Sequence, residues 1–227
     1  MHDIFFISYE EPKADENWEK LKYRFPYAKR VHGIVGISAA HLVCAKQAIT
    51  RMFWTIDGDT IVDDTWDFSY QPKSWDQKYL HLWYSKNPIN LLEYGYGSVK
   101  LWPKQRLISF NGEWLDFTTS VGDIKLVEQT VATTYFNTSS YETWKSSFRE
   151  CVKLCENIKN DPTDEVSKSR LEIWMTFAND QPFATWCITG ANDGKQFHLE
   201  NTILQSINDF IWLKKFFYEK YPQEQKI

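Results

Sequence analysis

Four cysteines, no Cys-x-x-Cys pair, no long apolar run and no excess of positive charge mark this chain by what it has little of. Without a Cys-x-x-Cys pair there is no signature of a zinc or redox cysteine couple. Cys44, Cys151, Cys155 and Cys187 read instead as reduced, buried thiols, with Cys151 and Cys155 four apart on an expected helix. The 26 Lys and Arg are outnumbered by 30 Asp and Glu, a formal net charge of −4, which excludes a protein that grips DNA by charge alone but leaves room for a local basic patch. No signal peptide and no apolar span of about 20 residues is present. The expectation is a soluble, cytoplasmic protein without a membrane partner. No repeat or low-complexity tract interrupts the 227 residues, which suit one domain with a modest appendage.

What the chain does have is apolar mass and rings. Hydrophobic residues make up 43%, enough for a real core. The 11 Trp, 12 Tyr and 15 Phe exceed ordinary packing needs, so the rings either fill that core or stack on sugars and bases.

The alternation of elements is clearest in the first 60 residues. His2 to Tyr9 is a β-rich apolar run that ends in Ser8-Tyr9-Glu10-Glu11-Pro12, where a parallel strand would open onto a ligand crevice. Asp15 can cap a short helix striped by Trp18, Leu21, Tyr23 and Phe25 and stopped at Pro26. Residues 28–33 form a second strand. Ser38 can cap a helix over 39–51, which leads into the run Met52-Phe-Trp-Thr-Ile. Strand, helix, strand, helix, strand predicts a parallel α/β sheet.

The third strand stops abruptly at Asp57-Gly58-Asp59. Gly58 permits a sharp turn, and carboxylates at alternate positions can turn toward one hard divalent cation, Mg²⁺ or Mn²⁺, whose remaining ligands are phosphate oxygens of a substrate. Such a site at the carboxyl end of a strand lies where open α/β sheets bind ligands.

Beyond residue 60 the texture becomes mixed or antiparallel. Strands are expected at 79–85, 98–102, 107–110, 113–117 and 131–136, with Asn111-Gly112 as a hairpin turn. Ser139-x-x-Glu142 is a capping box opening a helix with Tyr141, Trp144, Phe148, Val152 and Cys155 on one face. Another helix starts at Asp161-Pro-Thr163, with Val166, Arg170, Ile173, Trp174 and Phe177 along one side. Residues 183–189 read as a last strand, Gly190-Ala-Asn-Asp-Gly194 as a loop, and 201–221 as an amphipathic helix that docks on the body of the domain.

The segments IFFISYEEPKADENWEKLKYRFPYAKRVHGIVGI, MFWTIDGDTIV, YGYGSVKL and YETWKSSFRECVKL carry a resemblance over residues 4 to about 200. With the Asp-x-Asp, the chain resembles the GT-A class of nucleotide-sugar glycosyltransferases, and within it a family of small glycosyltransferases from tailed bacteriophages that act on hydroxylated or hydroxymethylated pyrimidines in DNA. The resemblance implies a GT-A-like α/β fold, with a Rossmann-like nucleotide-sugar-binding half over 1–60, a mixed-sheet acceptor half over 61–200 and a C-terminal helix over 201–227, all one domain. It implies a UDP-sugar donor, Mn²⁺ or Mg²⁺ held by Asp57 and Asp59, DNA as acceptor, and the cytoplasm of the host cell as location. His198, the only histidine in the last third of the chain, is the candidate third metal ligand. Ser8, Tyr9, Glu10 and Asp57 would lie near the nucleotide, and Arg30, Lys46 and Arg149 could meet phosphates. If the enzyme inverts, Asp116, Glu142 or Glu150 would be the base, although Glu142 can be spent on its capping box and Glu150 on a lysine. Lys100, Lys104, Arg106, Lys145 and Arg149 could ring the acceptor mouth, and Trp83, Tyr94, Tyr96 and Trp102 could either stack an extruded base or pack in the core. Two alternatives stay open: a carbohydrate acceptor, and a non-catalytic binding module in which the two aspartates hold only structure.

Overall fold

Apolar runs bounded by polar punctuation build the first part of the chain. In the computed structural model, which describes residues 1–95, 98–112 and 115–226, β1 (Asp3–Ser8) is followed by α1 (Ala14–Arg24), β2 (Lys29–His32), α2 (Ile37–Gln47) and β3 (Met52–Asp57). β1 lies between β2 and β3 and is parallel to both, with Phe5 opposite Lys29 and Ile7 opposite Asp57. The expected α/β alternation is therefore present. Side-chain alternation along the strands divides the core in two. Ile4, Phe6, Trp54 and Ile56 pack with Leu21 of α1, whereas Phe5 and Phe53 pack with Cys44 and Ala45 of α2. The two helices cover opposite faces, as right-handed crossovers require when one runs from β1 to β2 and the next runs the opposite way across the sheet from β2 to β3.

The sheet then turns mixed. β4 (Thr60–Val62), β5 (Leu80–Lys86), β6 (Glu93–Tyr94), β7 (Val99–Pro103) and β8 (Ile124–Thr134) complete the order β2-β1-β3-β7-β5-β8-β4, with β6 beside β5. β7 is antiparallel to β3 and β5, while β8 is parallel to β5 and antiparallel to β4. This order forces curvature. Four strand spacings separate β3 from β4, about 19 Å in a flat sheet, yet the three residue steps from Asp57 to Thr60 span at most about 11 Å. The sheet curls until its far strand returns beside β3, helped by register shifts at Trp83, Tyr84 and Ser85.

Several local expectations give way to tertiary contacts. Ser38 does not cap α2, which starts two residues earlier than expected, at Ile37 behind Gly36 at φ 93°. Asp15 sits inside the first turn of α1, and Tyr23 points outward at 89% exposure. The Asn111-Gly112 hairpin is replaced by α3 (Lys104–Ser109) and the short α4 (Phe117–Ser120), because Leu107 and Phe117 are buried against Trp102 rather than paired in a ladder; Glu113 and Trp114 lie outside the described residues. The aromatic alternative resolves toward packing. Trp83, Tyr94 and Trp102 are buried, with Trp83 4.7 Å from Trp54, so none of the three forms a stacking platform; Tyr96 lies outside the described residues. All four cysteines are free and buried, as expected.

The chain divides into two compact units, Met1–Asn87 with Glu93–Tyr135, and Pro88–Leu92 with Phe136–Ile227. The first contains the sheet. The second is helical: α5 (Ser140–Asn160), α6 (Glu165–Thr176), α7 (Ala184–Glu200) and α8 (Phe210–Lys220). Ser139 caps α5 through the Glu142 N–H, as its sequence predicts. α6 begins later than expected, at an Asp164 cap, and buries Ser167, Leu171 and Trp174 while Val166 and Phe177 are exposed. The expected strand at 183–189 and loop at 190–194 are both inside α7. Gly190 and Gly194, one turn apart, lie against the backbone of α5, so these glycines serve close approach between helices and not a turn. The expected helix over 201–221 is broken, with a 3₁₀ turn at Gln205–Asn208 and a new start at the Asp209 cap of α8. Among the described residues no helix is long and apolar enough to cross a membrane.

Candidate functional site

With α1 and α2 on opposite faces, the carboxyl ends of β1 and β3 flank a topological switch point, the place where open α/β sheets leave a crevice. Two tight segments form its rim: Ser8–Glu11 after β1 and Asp57–Asp59 after β3. They interlock through Gly58. A methyl there would come within 2.7 Å of Glu11 Oε2 and 3.0 Å of Ser8 Cβ, so a larger residue must displace the Glu11 carboxylate and crowd Ser8. Asn17 of α1, buried, donates to the Gly58 carbonyl at 3.0 Å, and the Tyr9 N–H donates to Glu11 Oε2 at 2.7 Å. The turn also bridges two distant strands: the Asp57 N–H donates to Ser98 O ahead of β7, and Asp59 O accepts from the Tyr135 N–H after β8.

The expected residues distribute unevenly around this rim. Ser8 is buried, accepts from Arg30 Nε at 2.9 Å and lies 3.0 Å from His32 Nδ1. Arg30 also pairs with Asp15 at 2.7 Å. These two expected nucleotide contacts are thus brought together with Tyr9 at the end of β1, and Glu10 is exposed beside them. Lys46 stands exposed near the C-terminal end of α2, away from that helix's first turn.

Asp57 and Asp59 are both partly exposed, at the mouth and not in the core. Asp57 faces the α2 side, where its carboxylate meets Lys100 Nζ at 3.2 and 3.4 Å; the aspartate is 34% exposed and the lysine only 2%. Burial pushes the Asp57 carboxyl above its usual range, and the Lys100 charge and hydrogen bond offset part of that rise. Thr55, beside Lys100 in the ladder, accepts from Trp102 Nε1 at 2.9 Å. Above this group His41 of α2 lies 2.8 Å from Ile37 O through Nδ1 and packs on Trp102 and Phe117. Burial first, and the Lys100 charge second, lower its pKa to about 3, so it is neutral. Lys100 therefore lies buried in the sheet beside Asp57 and not on an exposed acceptor mouth, a correction of its expected surface role.

Other expected site residues are committed elsewhere. His198 lies on α7 in the helical unit, with Nε2 2.8 Å from Glu156 Oε2. Nearby, a cleft of about 630 Å³ is lined by Cys155, Leu171, Met175, Lys195, His198 and Leu199. Asp116 caps α4 by accepting from the Thr119 N–H at 3.1 Å. Glu142 pairs with Lys145, and Glu150 with Lys153 at 3.7 Å, both along α5. Arg149 donates to Ile207 O and Asn208 Oδ1, Lys104 to Ala48 O, and Arg106 pairs with Asp123 at 3.5 Å.

All three expected metal ligands thus face other partners: Asp57 meets Lys100, His198 meets Glu156, and Asp59 Oδ1 accepts from Thr60 Oγ1 at 3.4 Å. Among the described residues no three His, Cys, Asp or Glu side chains gather into a group that could hold a metal ion. The residues present do not fit a three-ligand cation site. Sequence reasoning missed Glu11 and the pairing of Lys100 with Asp57; the position of Glu11 in the polar run after β1 was the available signal for the first, and no local signal marks the second.

No known family matches the chain, and no curated protein matches it. Among solved structures, HddC from Yersinia pseudotuberculosis is a distant neighbour, with a TM-score of 0.40 and 12% identity over 58% of this chain and 92% of that one.

Proposed function

We propose that the chain is a glycosyltransferase that takes its sugar from a nucleoside diphosphate sugar, UDP-linked in the first instance. The observation that carries this reading is the Asp57-Gly58-Asp59 turn at the mouth of a switch-point crevice, with both carboxylates partly exposed and the turn locked against the end of β1. A nucleotide entering such a crevice would meet the carboxylates of Glu10 and of the Asp57–Asp59 turn together with the Ser8–Arg30 pair at the strand ends. In the transfer, an acceptor hydroxyl oxygen bonds to the anomeric carbon as that carbon's bond to the diphosphate breaks; the hydroxyl proton leaves to a base, and the electron pair leaves with UDP. The acceptor that goes with this reading is a hydroxylated or hydroxymethylated pyrimidine in DNA, supported by the sequence resemblance.

The test is ligand-dependent stabilisation followed by turnover. UDP at about 100 times its dissociation constant should stabilise the protein by roughly 2.7 kcal/mol. Gly58→Val, which drives a branched side chain into Glu11 and Ser8, should abolish that shift. UDP release from UDP-sugars, in the presence of duplex DNA containing 5-hydroxymethylpyrimidines and of matched unmodified duplex, then identifies the acceptor. Absence of stabilisation by UDP and by the other nucleoside diphosphates would refute the reading.

A further inference from the structure

Lys100 occupies the middle of β7, opposite Thr55 of β3 on one side and Leu82 of β5 on the other. An ammonium held at 2% exposure inside a sheet is costly unless a counter-charge lies against it. Asp57 is its only hydrogen-bond partner among the described residues. The contacts, 3.2 and 3.4 Å, are longer than the roughly 2.7–2.9 Å of a tight ammonium–carboxylate bond. The pair is therefore fixed on the lysine side and loosely held on the aspartate side, whose carboxylate reaches the mouth.

The surrounding charges have a direction. The first turn of α1 carries Asp15 and Glu16, and the loop before it Glu10 and Glu11. The first turn of α2 carries no acidic residue, and no side chain caps it. Lys100 lies on the α2 side of β3 with His41, a neutral imidazole whose Nε2 has no hydrogen-bond partner among the described residues. On that side the Lys100 charge offsets that of Asp57, so an incoming anion meets no uncompensated Asp57 carboxylate there.

From this we infer that Lys100 is a built-in counter-charge that takes the place of a divalent cation at Asp57, so that a nucleoside diphosphate binds this crevice without a metal ion. The inference rests on the nucleotide-sugar reading above. Lys100 acts here as a positioning residue: it pairs with the ionised Asp57 carboxylate, holds it in place and offsets its negative charge in the path of the diphosphate.

Isothermal titration of the full chain with UDP, in EDTA and in Mn²⁺, tests this. The expected affinities in the two buffers agree within about twofold. Lys100→Met, which bares Asp57, should weaken binding at least tenfold in EDTA and regain most of it in Mn²⁺, a metal rescue that a purely structural loss would not give. Asp57→Asn/Lys100→Met, with neither charge, should bind in EDTA better than Lys100→Met alone. If wild-type protein binds UDP at least tenfold tighter in Mn²⁺ than in EDTA, Lys100 does not replace the cation and the inference fails, whatever the variants do. If wild type binds no nucleoside diphosphate in either buffer, the nucleotide-sugar reading fails and the inference with it.

Discussion

Replacing Gly190 or Gly194 by alanine sets two physical effects of opposite sign against each other. In an isolated helix, Gly→Ala stabilises by about 1 kcal/mol, since alanine restricts the unfolded backbone and shields the helix. In α7 the added methyl at Gly190 would come within 3.0 Å of both the carbonyl oxygen and the Cα of Trp144, and that at Gly194 would strike the Phe148 carbonyl, where ordinary contact begins at 3.4 Å. The Gly190 methyl would also meet the Ser147 hydroxyl, which can rotate away, but the Trp144 and Phe148 obstacles are backbone atoms that no rotamer change relieves. α7 must instead move off α5, loosening the rings that join them, such as Phe148 and Phe197 at 5.4 Å. Overpacking of this kind costs up to about 3 kcal/mol, so each variant should lose about 2 kcal/mol net. Urea unfolding followed by far-UV circular dichroism reads this as a midpoint lowered by about 1 M, for a slope near 2 kcal/mol/M. The double variant should lose less than the sum, because one displacement of α7 accommodates both methyls. If either single variant is as stable as the parent or more so, the close α5–α7 approach is wrong.

Three further outcomes are expected. Asp57→Asn strands the buried Lys100 ammonium and should cost about 3 kcal/mol in urea unfolding, whereas Lys100→Met leaves a carboxylate that reaches water and should cost less. His41 binds a proton near pH 6.5 when unfolded but only at about 3 when folded, so the unfolded state holds more protons between those values and stability falls as pH drops below 6.5. Between pH 6.5 and 5 this one group removes about 2 kcal/mol, and His41→Leu should flatten that part of the urea-midpoint profile. Arg24 donates to the carbonyls of Val62, Asp63, Asp64 and Trp66 at 2.7–3.1 Å, a fork that an ammonium cannot reproduce, so Arg24→Lys should lower the urea midpoint by an amount worth about 2 kcal/mol.

The legible parts of the chain were those governed by neighbours in sequence. The opening strand–helix alternation follows from apolar runs and their punctuation, the strand end at Asp57 from the abrupt change to Asp-Gly-Asp, and the Ser139 cap from its own three-residue spacing. What escaped depends on partners far along the chain. Gly190-Ala-Asn-Asp-Gly194 has the composition of a loop, and only the backbone of α5 explains why glycine is needed inside a helix. Lys100 looks like a surface cation until Asp57, 43 residues away, is placed against it. Asn111-Gly112 carries a strong hairpin signal that Leu107 and Phe117 override by burying against Trp102. His198 was singled out because few histidines were available, and that reasoning could not foresee Glu156.

The curl of the sheet has a kinetic consequence for the rim that it positions. Asp57 is anchored ahead of β7 and Asp59 after β8, so the three-residue turn between them takes its final shape only when β3, β7, β5, β8 and β4 have all found their neighbours. Contacts that join residues 59 and 135 close long loops and form late in folding. A nascent chain or a truncated fragment can therefore hold the parallel β2-β1-β3 core while the Asp-Gly-Asp turn is still unset. Ligand binding at that turn would report completion of the whole sheet, and a mutation anywhere along β8 could silence the site without touching a residue in it.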